Sequence, residues 1–295
     1  MADVTISTLQ NLIDFGNGVY GYGSSSSFLS VELTADLDFA DLAVNNTPYD
    51  WAGCVGTYYV HFDGKGHTIK NISHVGTGNW GFIDVLNGSI KNLNLTDLYV
   101  VGACVGGIAS YLNGSTILNC KVSGQIEGIA NTSIGGIAGN GSSTITFRSC
   151  SFFGKILHRG SGNIANIGGI IGRDGGCYLY NCMVVADLEG NNYTMGLAGD
   201  GNTLINCEFR GSLKAANGRA AALMGTGGTC INGIAVVTSV VGAWYSSISG
   251  INNWMDSTLA AAGGFSIQGG FGAAATTDLQ NATWLFNHGF AVPTV

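Results

Sequence analysis

The sequence predicts an all-β fold wound as a parallel β-solenoid, on three observations. A motif recurs about every 26 residues. The segments between recurrences are short and alternate apolar with polar side chains, as in Thr203-Leu-Ile-Asn-Cys-Glu-Phe-Arg-Gly-Ser-Leu213, a period that fits strands and not helices. Glycine occupies 48 of 295 positions and proline two, with no three-residue glycine period, so bends are plentiful and collagen is excluded. The recurring motif is a pair of small residues followed by two apolar ones. It reads Val105-Gly-Gly107-Ile-Ala109, Ile134-Gly-Gly136-Ile-Ala138 and Ile167-Gly-Gly169-Ile-Ile171, then weakens to Met195-Gly-Leu-Ala198 and Ala221-Ala-Leu-Met224. Trp80-Gly-Phe-Ile83 is an earlier variant, and the second positions are separated by 26, 29, 33, 27 and 26 residues. One such unit of three short strands makes one coil, and coils stack about 4.8 Å apart.

The elements follow in chain order. Residues 1–27 are expected to cap the rod, with an amphipathic helix over Thr5 to Phe15 that buries Leu9, Leu12 and Ile13 and is capped by Ser7. Residues 28–250 are expected to form roughly eight coils and a rod about 40 Å long. Within a coil, turns are expected at Asn87-Gly88, Asn113-Gly114, Asn140-Gly141, Asp174-Gly175 and Asp200-Gly201. Each is followed by a strand ending in a polar residue and a cysteine: Asn119-Cys120, Ser149-Cys150, Asn181-Cys182 and Asn206-Cys207. A further strand, such as Lys121 to Ile126, completes the coil, and the long 136–169 step predicts a protruding loop around His158 to Asn163. Residues 251–295 are expected to close the rod: Thr277-Asp-Leu-Gln280 has capping-box spacing, and the helix it starts would bury Leu279, Trp284, Leu285 and Phe286 and end at Gly289.

Composition narrows the function. Eleven basic and 18 acidic residues give a net charge of −7, which argues against a nucleic-acid binder. Eight cysteines in a chain this long are too few for a disulfide scaffold. The opening residues show no basic segment leading into an apolar one, so no signal peptide is expected and the cytoplasm is the expected place of synthesis. Between Arg219 and Asp256 there is no charge, but Gly227, Gly228, Asn232 and Gly242 punctuate the stretch, so no membrane span is expected.

The series of motifs resembles the GLUG-type β-helical repeats of large bacterial surface proteins and some phage proteins. The resemblance rests on Leu33-Thr-Ala-Asp36-Leu-Asp38-Phe39, Phe62-Asp63-Gly64-Lys-Gly66-His-Thr-Ile69-Lys-Asn-Ile72, Gly81-Phe82 with Ile90-Lys-Asn-Leu93, and the Gly-Gly and Asn-Cys coils. Thr276 through Trp284 is similar to the family's closing segment, and the likeness covers nearly the whole chain. It implies a right-handed parallel β-helix and a structural or adhesive role with no catalytic activity. The chain is short for a surface member and shows no export signal, which favours a phage particle.

Residue by residue, chemistry loses to architecture. Asp36 and Asp38 share one side of a strand, as grouped carboxylates of polysaccharide-cleaving β-helices do, but the alternation places them on a solvated outer face. Asp174 and Asp200 hold the turn position that asparagine holds in other coils. His61, Asp63 and His67 are competent metal ligands, yet Gly64 and Gly66 between them read as a tight bend. The other histidines, His74, His158 and His288, have no acid or nucleophile at motif spacing. Cys120, Cys150, Cys182 and Cys207 share one repeat position and are expected to stack as buried, reduced thiols, since parallel side chains poorly fit the disulfide torsion. Tyr178, Tyr180, Tyr193, Trp244, Tyr245 and Trp254 pack, or form a platform for glycan.

The expectation is therefore a non-enzymatic structural protein of a phage particle, a head decoration or tail component, located in the virion. Its expected partners are other virion proteins or copies of itself, with no cofactor, no metal and no membrane insertion. The alternative is a carbohydrate-binding adhesin or receptor-binding module on a bacterial cell surface, gripping cell-surface glycan. A polysaccharide-degrading enzyme is the weakest reading. The candidate interface is the charge-poor C-terminal quarter around Trp244, Tyr245, Trp254 and Phe271.

Overall fold

The computed structural model describes residues 2–130, 132–160, 166–173, 176–244, 247–251, 253–257, 272–275 and 278. They form a parallel β-solenoid. Every strand-to-strand ladder is parallel, and most strands pair with their counterparts one coil before and one coil after. One inward ladder runs Val4, Val31, Phe62, Ile90, Ile117, Phe147, Leu179, Leu204, Cys230 and Gly250. Nine steps of about 4.8 Å make this a rod about 43 Å long. On the opposite wall Leu37, Ile69, Leu95, Val122, Phe152, Val184, Phe209, Ala235 and Met255 stack in the same way. From Val4 to Cys230 and from Leu37 to Met255 these columns are buried and meet in the lumen, so the core is one continuous apolar cylinder. Each fully buried Val, Leu, Ile or Phe contributes roughly 1.5–3 kcal/mol.

The Gly-Gly repeat has a steric origin. A Cβ on Gly107, Gly136, Gly169 or Gly196 would run into the carbonyl oxygen at the same position of the next coil. A Cβ on Gly106, Gly135 or Gly168 would meet the carbonyl three residues on. Coils approach so closely here that Ile108, Ile137, Ile170 and Leu197 donate directly to the next coil at 2.8–3.0 Å.

At another corner the residues before the four stacked cysteines, Asn119, Ser149, Asn181 and Asn206, are held in the left-handed region together with their counterparts Asn92 and Asn232, with φ between 51° and 56°. Asparagine tolerates that conformation better than other side chains bearing a Cβ. Its amide also bridges coils. Asn119 donates to Asn92 at 2.9 Å and Asn92 to Asp63 at 3.1 Å. Asn232 donates to Asn206 at 2.7 Å, and Asn206 to Asn181 at 3.0 Å. Ser149 interrupts the two runs.

Three sequence expectations are corrected. The N-terminal helix spans Leu9–Gly16, not Thr5 to Phe15, and its cap is Thr8, whose Oγ1 accepts from the Asn11 N–H at 3.2 Å. Thr5 belongs instead to the strand Val4–Ile6, which turns Val4 and Ile6 inward and joins the sheet beside Val31–Leu33. The helix closes the lumen: Phe15 packs on Tyr58 and Phe62, and the Tyr58 hydroxyl donates to the Phe15 carbonyl at 2.9 Å. Second, Asn87-Gly88 is no turn but the middle of the strand Ile83–Lys91, where Gly88 takes a positive φ of 125° that favours glycine. Third, the bend near Asn140-Gly141 falls two residues later at Ser143, φ 63°, in step with Gly114 at 56°. The loop around His158 to Asn163 and the closing helix from Thr277 lie largely outside the described residues.

Candidate functional site

Asp36, Asp38 and Asp63 prove to be corner fastenings. Asp36 accepts the Thr68 N–H at 2.8 Å and sits 3.1 Å from His67 Nδ1, two contacts that hold its carboxyl below the ordinary range. Asp38 accepts from the Asn71 amide at 2.7 Å and the Ala40 N–H at 2.9 Å, with Lys70 at 3.0 Å, and its carboxyl is likewise depressed, chiefly by Asn71. Burial raises Asp63, but the Lys65 N–H, Asn92 and Lys91 outweigh it and leave the carboxyl below its usual value. His61 is exposed, stacks on Phe28 at 4.8 Å and pairs with Ser89 at 2.9 Å. His61, Asp63 and His67 are therefore engaged with different neighbours, and among the described residues no three metal-ligating side chains come together.

His74 pairs with Asp50 at 2.7 Å, and His158 is buried with Nε2 3.0 Å from the Ala130 carbonyl. Asp200 stands exposed at a bend beside Gly201, φ 79°, and lines a shallow cavity of about 320 Å³ with Arg173 and Tyr193. Asp174 and His288 lie outside the described residues.

The cysteines lie as the repeat places them. All eight are buried and free of disulfides. Cys120, Cys150, Cys182 and Cys207 stack at one corner, each thiol donating at 3.3–3.4 Å to the carbonyl two residues before it. Burial pushes the thiols of Cys120, Cys150 and Cys182 well up, and that of Cys104 up to about 11.

Among the described residues the aromatic candidates do not form one platform. Tyr178 and Tyr180 lie side by side on one outer face, rings within 5° of parallel and centroids 6.4 Å apart, with Arg148 of the neighbouring coil 4.6 Å over Tyr180. Tyr193 stands on another face beneath Arg219. Trp254 is half-buried in the strand Trp254–Asp256, its ring against Gly272. Trp244 ends the strand Ile234–Trp244; its side chain, and Tyr245 and Phe271 entirely, lie outside the described residues.

One feature was missed by the sequence reading. A hairpin projects from the second coil, with Val44 bridged to Thr47 and Asn45 and Asn46 both at positive φ, 49° and 61°. Between this hairpin and the strand Asn94–Gly102 lies a cleft of about 370 Å³. The strand bulges there: Thr96 and Asp97 together face Ser123, and Asp97 adopts φ 56°. The available signal was one extra residue, Leu95-Thr-Asp97-Leu98 against Val122-Ser-Gly124 one coil later.

Fold and surfaces together define a parallel β-solenoid, capped at its N-terminal end, with a continuous apolar lumen. No protein-family model matches the chain, and no curated protein does. Among solved structures it is similar to "a putative immunoglobulin A1 protease from Bacteroides ovatus", with a TM-score of 0.60 over 96% of this chain and 86% of that one. Identity is 18%, so the likeness is one of fold.

Proposed function

We propose that this chain is a non-enzymatic structural protein of a phage particle, a rigid β-helical rod fixed into a larger assembly through its C-terminal coils. One observation carries the reading. Between Arg219 and Asp278 the sole charged residue is Asp256, and Asp256 is 1% exposed. The described outer surface of these coils therefore offers water no charge, while Val241 stands 52% exposed. Free surfaces are normally well charged, and charge-depleted centres belong to interfaces. A virion protein or a second copy of this chain would cover it. The engaged state of Asp36, Asp38 and Asp63 speaks against the polysaccharide-degrading alternative, since carboxylates held as fastenings are poor acids and bases.

The test is incorporation. Wild-type chain and Val241→Glu are expressed during infection, and purified particles are analysed by mass spectrometry and electron microscopy. Wild type is expected in the particle, with the variant depleted about tenfold although its melting temperature is unchanged. A chain absent from particles, or a variant incorporated as well as wild type, overturns the reading.

A further inference from the structure

We propose that the cleft between the 44–47 hairpin and the Asp97 bulge is a binding site for a neutral oligosaccharide. The proposal stands apart from the assembly reading, because the cleft spans the second to fourth coils, far along the rod from the charge-poor end.

The accessible apolar lining is Ala40, Ala43 and Pro48, all exposed, with Phe39 and Ile72 buried beneath them. The Tyr99 ring at its mouth is 44% exposed, the kind of open aromatic face on which the C–H face of a pyranose rests. Polar groups converge on the same space. Asp97 makes no hydrogen bond or ion pair with the described residues, so its carboxylate retains its accepting capacity. The Asn71 amide donates to Asp38 at 2.7 Å and keeps its oxygen as an acceptor, and Asn46 sits across the cleft on the hairpin. An apolar floor with a few fixed polar groups in a volume of roughly 300–1,000 Å³ is the general form of a small-molecule site.

Two further features point to a built site. Asp97 is a non-glycine residue at φ 56°, in a bulge that turns its side chain out of the regular alternation. Such backbone recurs where a side chain must be aimed. The hairpin that forms the opposite wall is likewise held by two asparagines at positive φ.

The charge selects the ligand. None of the residues lining the cleft is basic, and Lys70 nearby is engaged with Asp38 at 3.0 Å. An acidic sugar would meet the Asp97 carboxylate, and the nearby cation, Lys70, is already committed to Asp38. Acceptors on Asp97 and Asn71 suit the vicinal hydroxyls of a neutral sugar, each hydroxyl a donor.

The probes are two sets of trisaccharides, neutral (glucose-, mannose-, galactose- and N-acetylglucosamine-based) and uronate-bearing, titrated calorimetrically against the intact chain. At least one neutral sugar is expected to bind and no uronate. Tyr99→Ala is expected to weaken binding about tenfold. Asp97→Asn, which keeps a residue suited to positive φ, is expected to weaken it about fivefold with an unchanged melting temperature. Tyr178→Ala, on the other aromatic face, is expected to leave affinity unchanged. Binding of no neutral sugar, preference for uronates or for cationic peptides, or loss on Tyr178→Ala with none on Tyr99→Ala overturns the assignment.

Discussion

Asp36, Asp38 and Asp63 show what a side chain does in this rod: each carboxylate ties a backbone N–H or an amide across a corner, and each has its pKa lowered by those bonds. A depressed folded pKa stabilises the fold above the ordinary carboxylate range, and the contribution drains away as pH falls through the lower folded value. Glu208 has the opposite sign, because burial raises its carboxyl despite Arg210 beside it. Acid titration followed by hydrogen exchange is expected to loosen the coils around Asp38 and Asp63 first, beginning below about pH 4. Asp38→Asn, which removes the charge, is expected to flatten that dependence; equal acid sensitivity in the variant would refute the assignment. The outward placement of these acids was legible from simple alternation with Leu37 and Phe62. Their specific partners were not, because those partners lie a coil away.

At the scale of the corner, two stacks run side by side, asparagine amides outside and cysteine thiols inside. Their spacing was legible because Asn-Cys recurs with the coil period. The left-handed backbone at the asparagine was not, since the glycine-bearing dipeptides drew the turn assignment away from it, and Asn87-Gly88 lies in a strand. Ser149, φ 54°, separates Asn119 from Asn181 in this stack. Ser149→Asn is expected to join the two amide runs and raise stability by about 0.5–1.5 kcal/mol, seen as a higher melting temperature; a lower one would show that the gap is required. The inner stack makes a separate prediction. With thiols buried and shifted up, Ellman's reagent is expected to find almost no reactive cysteine in the native rod and all eight after denaturation. Rapid native labelling of Cys150 or Cys182 would contradict it.

Over the whole molecule, periodicity told the coil number and the strand directions, because every coil repeats one packing problem. Ends and insertions carry no period, and there the sequence reading failed. Val4–Ile6 is too short to show alternation beside a helical pattern, and the 44–47 hairpin is a single departure from the repeat. Each coil touches only its neighbours, so stability is a sum of local interfaces. Leu204→Ala, at a fully buried rung, is expected to cost about 2–5 kcal/mol. Hydrogen exchange is expected to rise in the strands around Leu179 and Cys230 and to stay unchanged near Val31 and Phe62. A uniform rise along the rod would show global coupling instead.

The continuous ladder from Val4 to Gly250 also fixes how the rod answers force. Strands run across the long axis and hydrogen bonds run along it, so tension between the first and last rungs loads the inter-coil bonds a rung at a time. The rod peels under a steady, modest pull instead of snapping at one high peak. Compression and bending press apolar rungs together against a filled lumen, and there the rod is stiff. Such a body serves well as a strut and poorly as a tether.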